Sequence, residues 1–430
     1  MVVKTIHHFI NRYVPKGSFL ANTMALMTGT ALAQGLTMAA MSILTRIYSP
    51  EAFGVAAMFA GVVAIISVVA SWRYELAVML PEKEEDAVAL VRLSVMSVIL
   101  MSAASLVVIW FFKHKISMLF NAPQMEPWFI WLPVSVFLVG LYNILNYWFN
   151  RKKEFATLSI SKVVQSGTMS AGQITAVPLF HPGAGGLIAG QIAGQAGSLL
   201  FLLRRLRLLK FQKAPYSSVR AIAKRYSDFP RYSGPGALLD NAAVSSMFII
   251  FSVLFSPYTA GLYAIADRAL RIPVGLIGSS VSQVFYQSLA KCRNNQKECK
   301  DMILGTWKHL FLIGIGPMLV IFLFGSHIFA FVFGEQWTDA GRYAEILSVG
   351  LIFHFVASPT SLGIVTFEKL GVLLGWQSLY FLSKIIICLL GYYFFRDNVI
   401  AFLWLASINE VLLYMLYMSV LWNAHKKRTG

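Results

Sequence analysis

SPYTAGLYAIADRALRIPVGLIGSSVSQVFY, residues 256–286, has the length and apolar content of a membrane-spanning helix and carries Asp267, Arg268 and Arg271 in its first half. If the helix enters the bilayer near Tyr258, Arg268 lies about 15 Å deep at ~1.5 Å per residue, close to the midplane of a hydrocarbon core about 30 Å thick. Charged side chains at that depth are costly unless they face a bundle interior or a water-filled cavity. The stretch therefore predicts a membrane protein with a functional cluster near the bilayer midplane.

The composition extends this prediction to the whole chain. Of its 430 residues, 57% are hydrophobic and 13% are charged, and long apolar runs recur along the whole length. We predict an all-α integral membrane protein with about 12 transmembrane helices in two six-helix lobes, related by a pseudo-two-fold axis along the membrane normal. The predicted parts are a cytoplasmic interfacial N-terminal segment (1–17), an N-lobe (18–204), a basic cytoplasmic linker (205–229), a C-lobe (230–423) and a cytoplasmic tail (424–430).

The net charge of +17 is distributed unevenly. With both termini placed in the cytoplasm, 27 of the 36 Lys and Arg fall in cytoplasmic stretches and five fall on the other side. This bias fixes the orientation by the positive-inside rule and accounts for most of the charge, so no nucleic-acid partner is expected. The three cysteines have no spacing typical of a disulfide framework or a metal site, and no metal is expected.

An internal repeat supports the two lobes. SPEAFGVAA at residues 49–57 matches SPYTAGLYA at residues 256–264 with an offset of 207, and both copies follow the first segment of a predicted half. Because each half has six segments, the copies share one orientation, as in parallel-repeat transporters. Under this offset, Ala60, Gly61 and Ala64 are the counterparts of Asp267, Arg268 and Arg271. One lobe is neutral where the other is charged, which favours a function for the charges over packing alone.

Nearby residues indicate how the charged cluster is held. Asp267 and Arg271 are about one helical turn apart and can neutralise each other, which leaves Arg268 unpaired. Asp240 falls at a similar predicted depth and is a second candidate partner for Arg271. Pro273 removes a backbone donor and predicts a kink beside the charges, which would suit a moving gate.

Other polar side chains lie inside or beside the predicted segments. Lys384 and Glu410 fall at equal depth on neighbouring helices; we favour a buried ion pair, and the alternative is a cation-coupling carboxylate with which the lysine competes. Lys162 either snorkels to water or lines a cavity. Arg46 and Arg73 lie near segment ends, where either could be an interfacial anchor. The histidines without metal-ligand spacing are expected to be hydrogen-bonded core residues; they are His309, His327 and His354.

Six blocks of sequence, taken in order, resemble a known family. They are ILTRIYSPEAFGVAAMF (43–59), SWRYELAVMLPEKEEDAVALV (71–91), FPRYSGPGALLDN (229–241), AGLYAIADRALRIPVGLIGSSVSQVFY (260–286), FGEQWTDAGRYAEIL (333–347) and SPTSLGIVTFEK (358–369). As a set they resemble the bacterial polysaccharide exporters of the O-antigen (Wzx-like) oligosaccharide flippase type. That type belongs to the multidrug/oligosaccharidyl-lipid/polysaccharide exporter superfamily.

The resemblance implies a transporter and not an enzyme. Its fold would be twelve helices in two V-shaped lobes. Its function would be to flip an oligosaccharide linked to undecaprenyl diphosphate from the cytoplasmic to the periplasmic leaflet of the bacterial inner membrane, by alternating access. The implied partners are this lipid-linked oligosaccharide, membrane lipids and the glycan polymerase machinery. No cofactor is expected beyond a coupling Na⁺ or H⁺.

The resemblance also implies which residues bind the substrate. Members of the family line the central cavity with arginine and lysine, and Arg268 and Arg271 match the charged eighth helix. Arg46 and Arg73 match the blocks TRIYSPEAFG and WRYELA, and Lys162 is a further candidate. Since arginine presents a fixed fork of donors to phosphate and stays charged at any working pH, these cations are expected to hold the diphosphate.

Two other functions are alternatives. A drug or cation antiporter on the same fold would use midplane carboxylates, for which Asp240, Asp267 and Glu410 are candidates. A membrane-bound O-antigen polymerase or ligase would handle the same lipid, but such enzymes have a large basic outer loop and the predicted outer connections here are short. The sequence contains no P-loop, GxSxG, HExxH or CxxC motif.

Overall fold

The structure, a computed structural model, describes residues 19–180, 183–208, 217–292, 296–361, 363–364 and 370–426. The predicted N-terminal segment, the centre of the linker and the end of the tail lie outside the described residues. The described part contains twelve helices of 18 residues or more and no strand. The helices are α1 (Phe19–Ile47), α2 (Pro50–Ser67), α3 (Glu84–Leu119), α4 (Leu132–Arg151), α5 (Phe155–Thr175), α6 (Ala184–Leu208), α7 (Gly234–Leu254), α8 (Pro257–Cys292), α9 (Gln296–Phe333), α10 (Thr338–Ala357), α11 (Leu370–Phe394) and α12 (Val399–Lys426).

The helices confirm the predicted class. Within the described ranges, ten of the twelve are long and apolar enough to cross a membrane. The other two, α5 and α8, carry Lys162 and the charged cluster. The chain is therefore an all-α, multi-pass membrane protein, and the charged cluster lies on one of the two helices that are least typical of a membrane span.

Both copies of the Ser-Pro repeat begin a helix in the same way. The side chain of Ser49 accepts a hydrogen bond of 3.3 Å from the backbone N–H three residues on, and Pro50 opens α2. The side chain of Ser256 accepts the equivalent bond at 3.2 Å, and Pro257 opens α8. Serine caps the free N–H groups of a first turn, and proline there loses no helical bond. The two turns lie on the same side of the molecule, which we call the Ser-Pro end.

The N-termini of α2 and α8 cross at a pair of glycines. A Cβ atom on Gly54 would lie 1.8 Å from the carbonyl oxygen of Pro257, and one on Gly261 would lie 1.8 Å from that of Pro50. The two backbones approach so closely that only glycine fits at either position. Because each repeat copy contacts the other in the same way, the two lobes are related by the predicted pseudo-two-fold axis.

Two hydrogen-bonded contacts, which we call the reciprocal caps, join the lobes on either side of the glycines. The indole N–H of Trp337, from the C-lobe, donates to the carbonyl of Thr45 at the end of α1 (2.8 Å). In the other direction, the amide of Asn121, from the N-lobe, donates to the carbonyl of Ser252 at the end of α7 (3.4 Å), and the Ser252 hydroxyl donates to the carbonyl of Phe120 (2.9 Å). Thr45 and Ser252 are related by the offset of the repeat. Each lobe thus holds the end of the other lobe's first helix.

The described end of the linker packs on the N-lobe. Its short helix Ser217–Arg225 places Ile222, only 4% exposed, in the N-lobe core, and the Tyr74 hydroxyl donates to the carbonyl of Ala223 (3.3 Å). The apolar face of this helix is therefore covered by protein. The basic residues Arg220 and Lys224 of the same helix are exposed.

Candidate functional site

A central cavity of about 280 Å³ lies between the two lobes. Helices α1, α2, α5 and α6 form its N-lobe wall, and α7 and α8 form its C-lobe wall. Its polar lining residues are Gln34, Gln173 and Gln191 from the N-lobe and Asp267, Arg268 and Arg271 from the C-lobe. The charged cluster therefore faces a cavity, as its predicted depth requires.

The repeat counterparts face one another across this cavity. Ala57 and Ala264 both line it, and so do Ala60 and Asp267, each pair being separated by the offset of 207. The difference between the two copies is thus a difference between the two walls of one cavity. Among the described lining residues, those of the N-lobe wall are uncharged and the charged ones belong to the C-lobe wall.

The three charged residues on α8 are not equivalent. The Nε of Arg271 donates to the Oδ1 of Asp267 at 2.5 Å, and these side chains are 33% and 14% exposed. Arg268 makes no hydrogen bond or ion pair within the described residues, and its side chain is exposed to the cavity. The local Asp267–Arg271 pair leaves Arg268 as an uncompensated cation, as the spacing along the helix predicts.

Asp240 does not partner Arg271. Its Oδ2 accepts a hydrogen bond of 2.7 Å from the side-chain amide of Gln377 on α11. The prediction from equal depth was wrong because depth says nothing about which face of α7 carries the carboxylate. Pro273 lies inside α8, and the predicted kink there stays a prediction.

Lys384 and Glu410 form a buried ion pair between α11 and α12. The Lys384 ammonium and the Tyr380 hydroxyl (2.8 Å) both donate to the Oε1 of Glu410, while Oε2 is buried with no partner in the described part of the chain. Their side chains are 4% and 13% exposed. A buried ion pair between these helices is what we expect from the sequence, and its geometry leaves the coupling alternative open.

The two ion pairs border one small cavity. Its volume is about 20 Å³, roughly the room for one water molecule, and its polar lining residues are Asp267, Arg271, His354, Ser407 and Glu410. A continuous polar path therefore runs from the wall of the central cavity to the pair between the last two helices.

The remaining predicted cations are not among the residues that line the central cavity. The Lys162 ammonium donates to the Thr30 hydroxyl (2.9 Å) in the N-lobe. Arg46 is exposed at the Ser-Pro end. Arg73 lies at the opposite end, in the left-handed backbone region with φ of 63°, and is 3.6 Å from Glu75. The structure brings together Arg268 and Arg271 and leaves these three apart.

Two features of the site are missed by sequence reasoning. The first is a group of glutamines on the N-lobe wall: Gln34, Gln173 and Gln191. Their polar side chains inside predicted membrane segments are a signal that could have indicated them. The second is His354, whose Nδ1 is buried without a partner in the described residues, although its ring packs edge-on to Tyr414 at 4.8 Å. The expectation of a hydrogen-bonded core histidine is therefore wrong for this nitrogen.

The sequence matches the model of the family described as "Polysaccharide biosynthesis protein" over residues 43–342. The chain belongs to that family. The matched region contains both copies of the repeat and the charged cluster, and it includes every residue that lines the central cavity except Gln34.

Two relatives are similar to parts of this family member. It is 23% identical over 307 residues to the "Probable lipid II flippase MurJ" of Buchnera aphidicola subsp. Schizaphis graminum (strain Sg), with 67% of this chain and 57% of that protein covered. It is 31% identical over 108 residues to the "Capsular polysaccharide biosynthesis protein CapF" of Staphylococcus aureus, with 24% and 27% covered. The chain thus spans just over half of the first relative and about a quarter of the second.

Solved structures share the fold over almost the whole chain. A structure of "Lipid II flippase MurJ, inward closed conformation" superposes with a TM-score of 0.72 at 15% identity and covers 93% of this chain and 87% of that one. An inward-facing multidrug resistance MATE family transporter of the MOP superfamily gives a TM-score of 0.64 at 15% identity, with 94% and 96% covered. The chain therefore has the two-lobed fold of these solved structures.

Proposed function

We propose that the chain flips a lipid-linked saccharide across the membrane by alternating access and that Arg268 holds the diphosphate of the lipid. The observation that carries this proposal is an uncompensated arginine exposed in a cavity between two lobes. A diphosphate cannot cross hydrocarbon unaided, whereas a guanidinium offers it paired charge-assisted hydrogen bonds. The polysaccharide family and the relative named as a lipid II flippase support the same class of substrate.

The finer identity of the substrate follows from the sequence resemblance. We propose undecaprenyl diphosphate as the carrier and an O-antigen or similar glycan repeat unit as the cargo. The charge bias supports a bacterial inner-membrane location with both termini in the cytoplasm. The glycan polymerase machinery would then take the product on the periplasmic side. The sugars nearest the diphosphate would occupy the central cavity, while the polyprenyl tail stays in lipid.

We further propose that transport is coupled to Na⁺ or H⁺ through the Lys384–Glu410 pair. The unpartnered Oε2 of Glu410 and the water-sized cavity beside it supply a place where a small cation could compete with the lysine. Because Arg271 borders the same cavity, binding of an anion near Arg271 would change the electrostatic potential at Glu410.

An antiporter of drugs or cations is less well supported. It would need a free carboxylate in the central cavity, and the carboxylate there, Asp267, is already paired with Arg271. The Lys384–Glu410 pair still offers a carboxylate for such an antiporter. A cation antiporter would respond to an imposed gradient without any lipid-linked saccharide, which distinguishes the two candidates.

The test is transport in proteoliposomes loaded with lipid-linked saccharides from the native host, with imposed Na⁺ or H⁺ gradients. Arg268→Ala should reduce flipping about 10- to 100-fold, because a hydrogen bond to a charged group contributes about 1.5–3 kcal/mol. Arg268→Lys should retain part of the activity. Arg342→Ala is the matched control, since Arg342 is 64% exposed and lies outside the cavity. Full activity of Arg268→Ala would contradict the proposal, and elongation of the saccharide during the assay would indicate a polymerase.

A further inference from the structure

A second cavity of about 290 Å³ lies within the C-lobe. One side is the part of α8 that follows Pro273, and the other is the end of α10 with the turn Ser358–Thr360. Its polar lining residues are the serines Ser279, Ser282, Ser358 and Ser361 together with His354. We propose that this cavity, which we call the serine cavity, is a subsite for the saccharide of the lipid-linked substrate, an inference that rests on the proposed function.

The chemistry of the lining fits a neutral, hydroxyl-rich ligand. Among the described residues that line the serine cavity there is no Asp, Glu, Lys or Arg, so neither a phosphate nor a metal cation finds a counter-charge among them. Each serine hydroxyl can both donate and accept, which is what a sugar hydroxyl requires of its partner. The Ser279 hydroxyl already donates to the carbonyl of Leu276 (3.0 Å), so its oxygen is left to accept from a ligand.

His354 supplies an observation independent of the serines. Its Nδ1 is buried and has no hydrogen-bond partner in the described part of the chain. A buried polar atom without a partner costs free energy, and the side chain that carries it lines the serine cavity, so a ligand hydroxyl there could supply the missing partner after a small movement of the ring. The same side chain also borders the small cavity beside Arg271, which places the serine cavity next to the site for the diphosphate.

Distances along α8 agree with a ligand that has its phosphates at one site and its sugars at the other. At about 1.5 Å per residue, Gly275 lies about 10 Å and Ser282 about 21 Å from Arg268 along the helix axis. If Arg268 holds the diphosphate, the sugars attached directly to it are therefore the ones that would lie in the serine cavity. The volume is near the lower limit of ligand sites, about 300 Å³, which suits one or two sugar rings and not a whole oligosaccharide.

Two glycines keep the serine cavity open. Gly275 and Gly278 are among the lining residues, and a Cβ atom on Gly275 would meet nothing within 4 Å. On Gly278 it would meet only the ring of Pro359 at 3.5 Å, an ordinary contact. Close packing of helices does not require glycine at either position, and a larger side chain at Gly278 would occupy the cavity without a backbone clash.

The test measures binding of two probes to the purified full chain in nanodiscs. The first probe is undecaprenyl diphosphate without sugar, and the second is the lipid-linked saccharide pool of the native host. We expect the wild type to bind the second probe at least 10-fold more tightly than the first. Gly278→Leu should abolish this difference while binding of the sugar-free lipid is unchanged, which also shows that this variant is folded. His354→Phe should reduce the difference as well. Gly316→Leu on α9 is the matched control, because Gly316 also has open space around it and lies outside the cavity.

Each outcome bears on one of the two proposals. Equal binding of the two probes by the wild type, or wild-type preference in Gly278→Leu, would overturn the saccharide subsite and leave the proposed function standing. Failure of the wild type to bind either probe, or binding of both probes by Arg268→Ala as by the wild type, would overturn the proposed function and the subsite with it.

Discussion

Two arginines at nearly the same depth in this molecule differ in whether a carboxylate compensates their charge. Arg268 and Arg271 are separated by less than one helical turn and line the same cavity, yet only Arg271 has a carboxylate within hydrogen-bond distance. The sequence indicates this division through the i,i+4 spacing of Asp267 and Arg271. It could not indicate that Asp240 pairs with Gln377, because that contact depends on how α7 packs against α11.

Breaking the Lys384–Glu410 pair should destabilise the protein strongly. Glu410→Gln leaves Lys384, which is 4% exposed, without a counter-charge, and Lys384→Met does the same to Glu410. We expect each single change to lower the free energy of unfolding by about 3–5 kcal/mol, whereas the combined Lys384→Met and Glu410→Gln variant should lose much less than the sum. Denaturant unfolding in detergent measures this cycle, and additive losses would show that the pair is not coupled.

Glu75, outside the membrane-spanning helices, predicts a pH dependence of stability. It is 3% exposed and accepts a hydrogen bond from Ser71; burial raises the pKa of Glu75, while the Ser71 bond and Arg73 act in the opposite direction and only partly offset it. The folded state therefore binds this proton more tightly than the unfolded state. The stabilisation is fully present below the unfolded pKa of about 4.3 and is lost as the pH rises through the raised folded value.

Thermal unfolding of the wild type and of Glu75→Gln tests this sign. The stability of the wild type relative to the variant should fall as the pH rises from about 4 towards 8, because only the wild type has the carboxylate. Unfolding curves whose separation is the same at every pH would contradict the prediction.

At the scale of elements, we expect the contact between α2 and α8 to keep the central cavity closed at the Ser-Pro end. Gly54→Val or Gly261→Val puts a branched side chain where a Cβ atom alone would lie 1.8 Å from a carbonyl oxygen. The two helices must then separate and open the central cavity at that end. In a background without native cysteines, a cysteine at Ala264 in the cavity wall should react several-fold faster with a membrane-impermeant maleimide added from the Ser-Pro side.

Gly316→Val is the control for this experiment, since Gly316 lies on α9 with no atom near its Cβ position. Its labelling rate should equal that of the parent protein. If the Gly54 and Gly261 variants also label at the parent rate, the glycine contact does not hold the Ser-Pro end closed.

Helix termini that have a local sequence signal could be predicted better than those that have none. The Ser-Pro turns fix where α2 and α8 begin, because a serine cap and a proline act through local backbone chemistry. Hydropathy predicts membrane segments at about 258–286 and 303–333, whereas α8 continues to Cys292 and α9 begins at Gln296. Apolar content shows where lipid surrounds a helix, and backbone hydrogen bonding continues beyond that point into water.

At the scale of the whole molecule, the duplication is symmetric where the lobes touch and asymmetric where the cavity is charged. The repeat in the sequence predicts two related lobes, and its difference at Ala60 and Asp267 predicts the uneven charge. That Gly54 and Gly261 are the point of contact is visible only in the structure. The reciprocal caps could not be predicted in the same way. Their acceptors are the backbone carbonyls of Thr45 and Ser252, which leave no mark on the pattern of side chains.

The reciprocal caps have a consequence for how the chain can be divided. Because each lobe supplies a donor to the other lobe's first helix, the contact is self-complementary and does not depend on the peptide that joins the halves. Residues 1–208 and 217–430 co-expressed as two polypeptides should therefore copurify as a complex. Trp337→Ala together with Asn121→Ala should lower the recovery of that complex more than the folding of either half. Copurification of the two unaltered halves would show that this protein is in effect a heterodimer encoded in one chain.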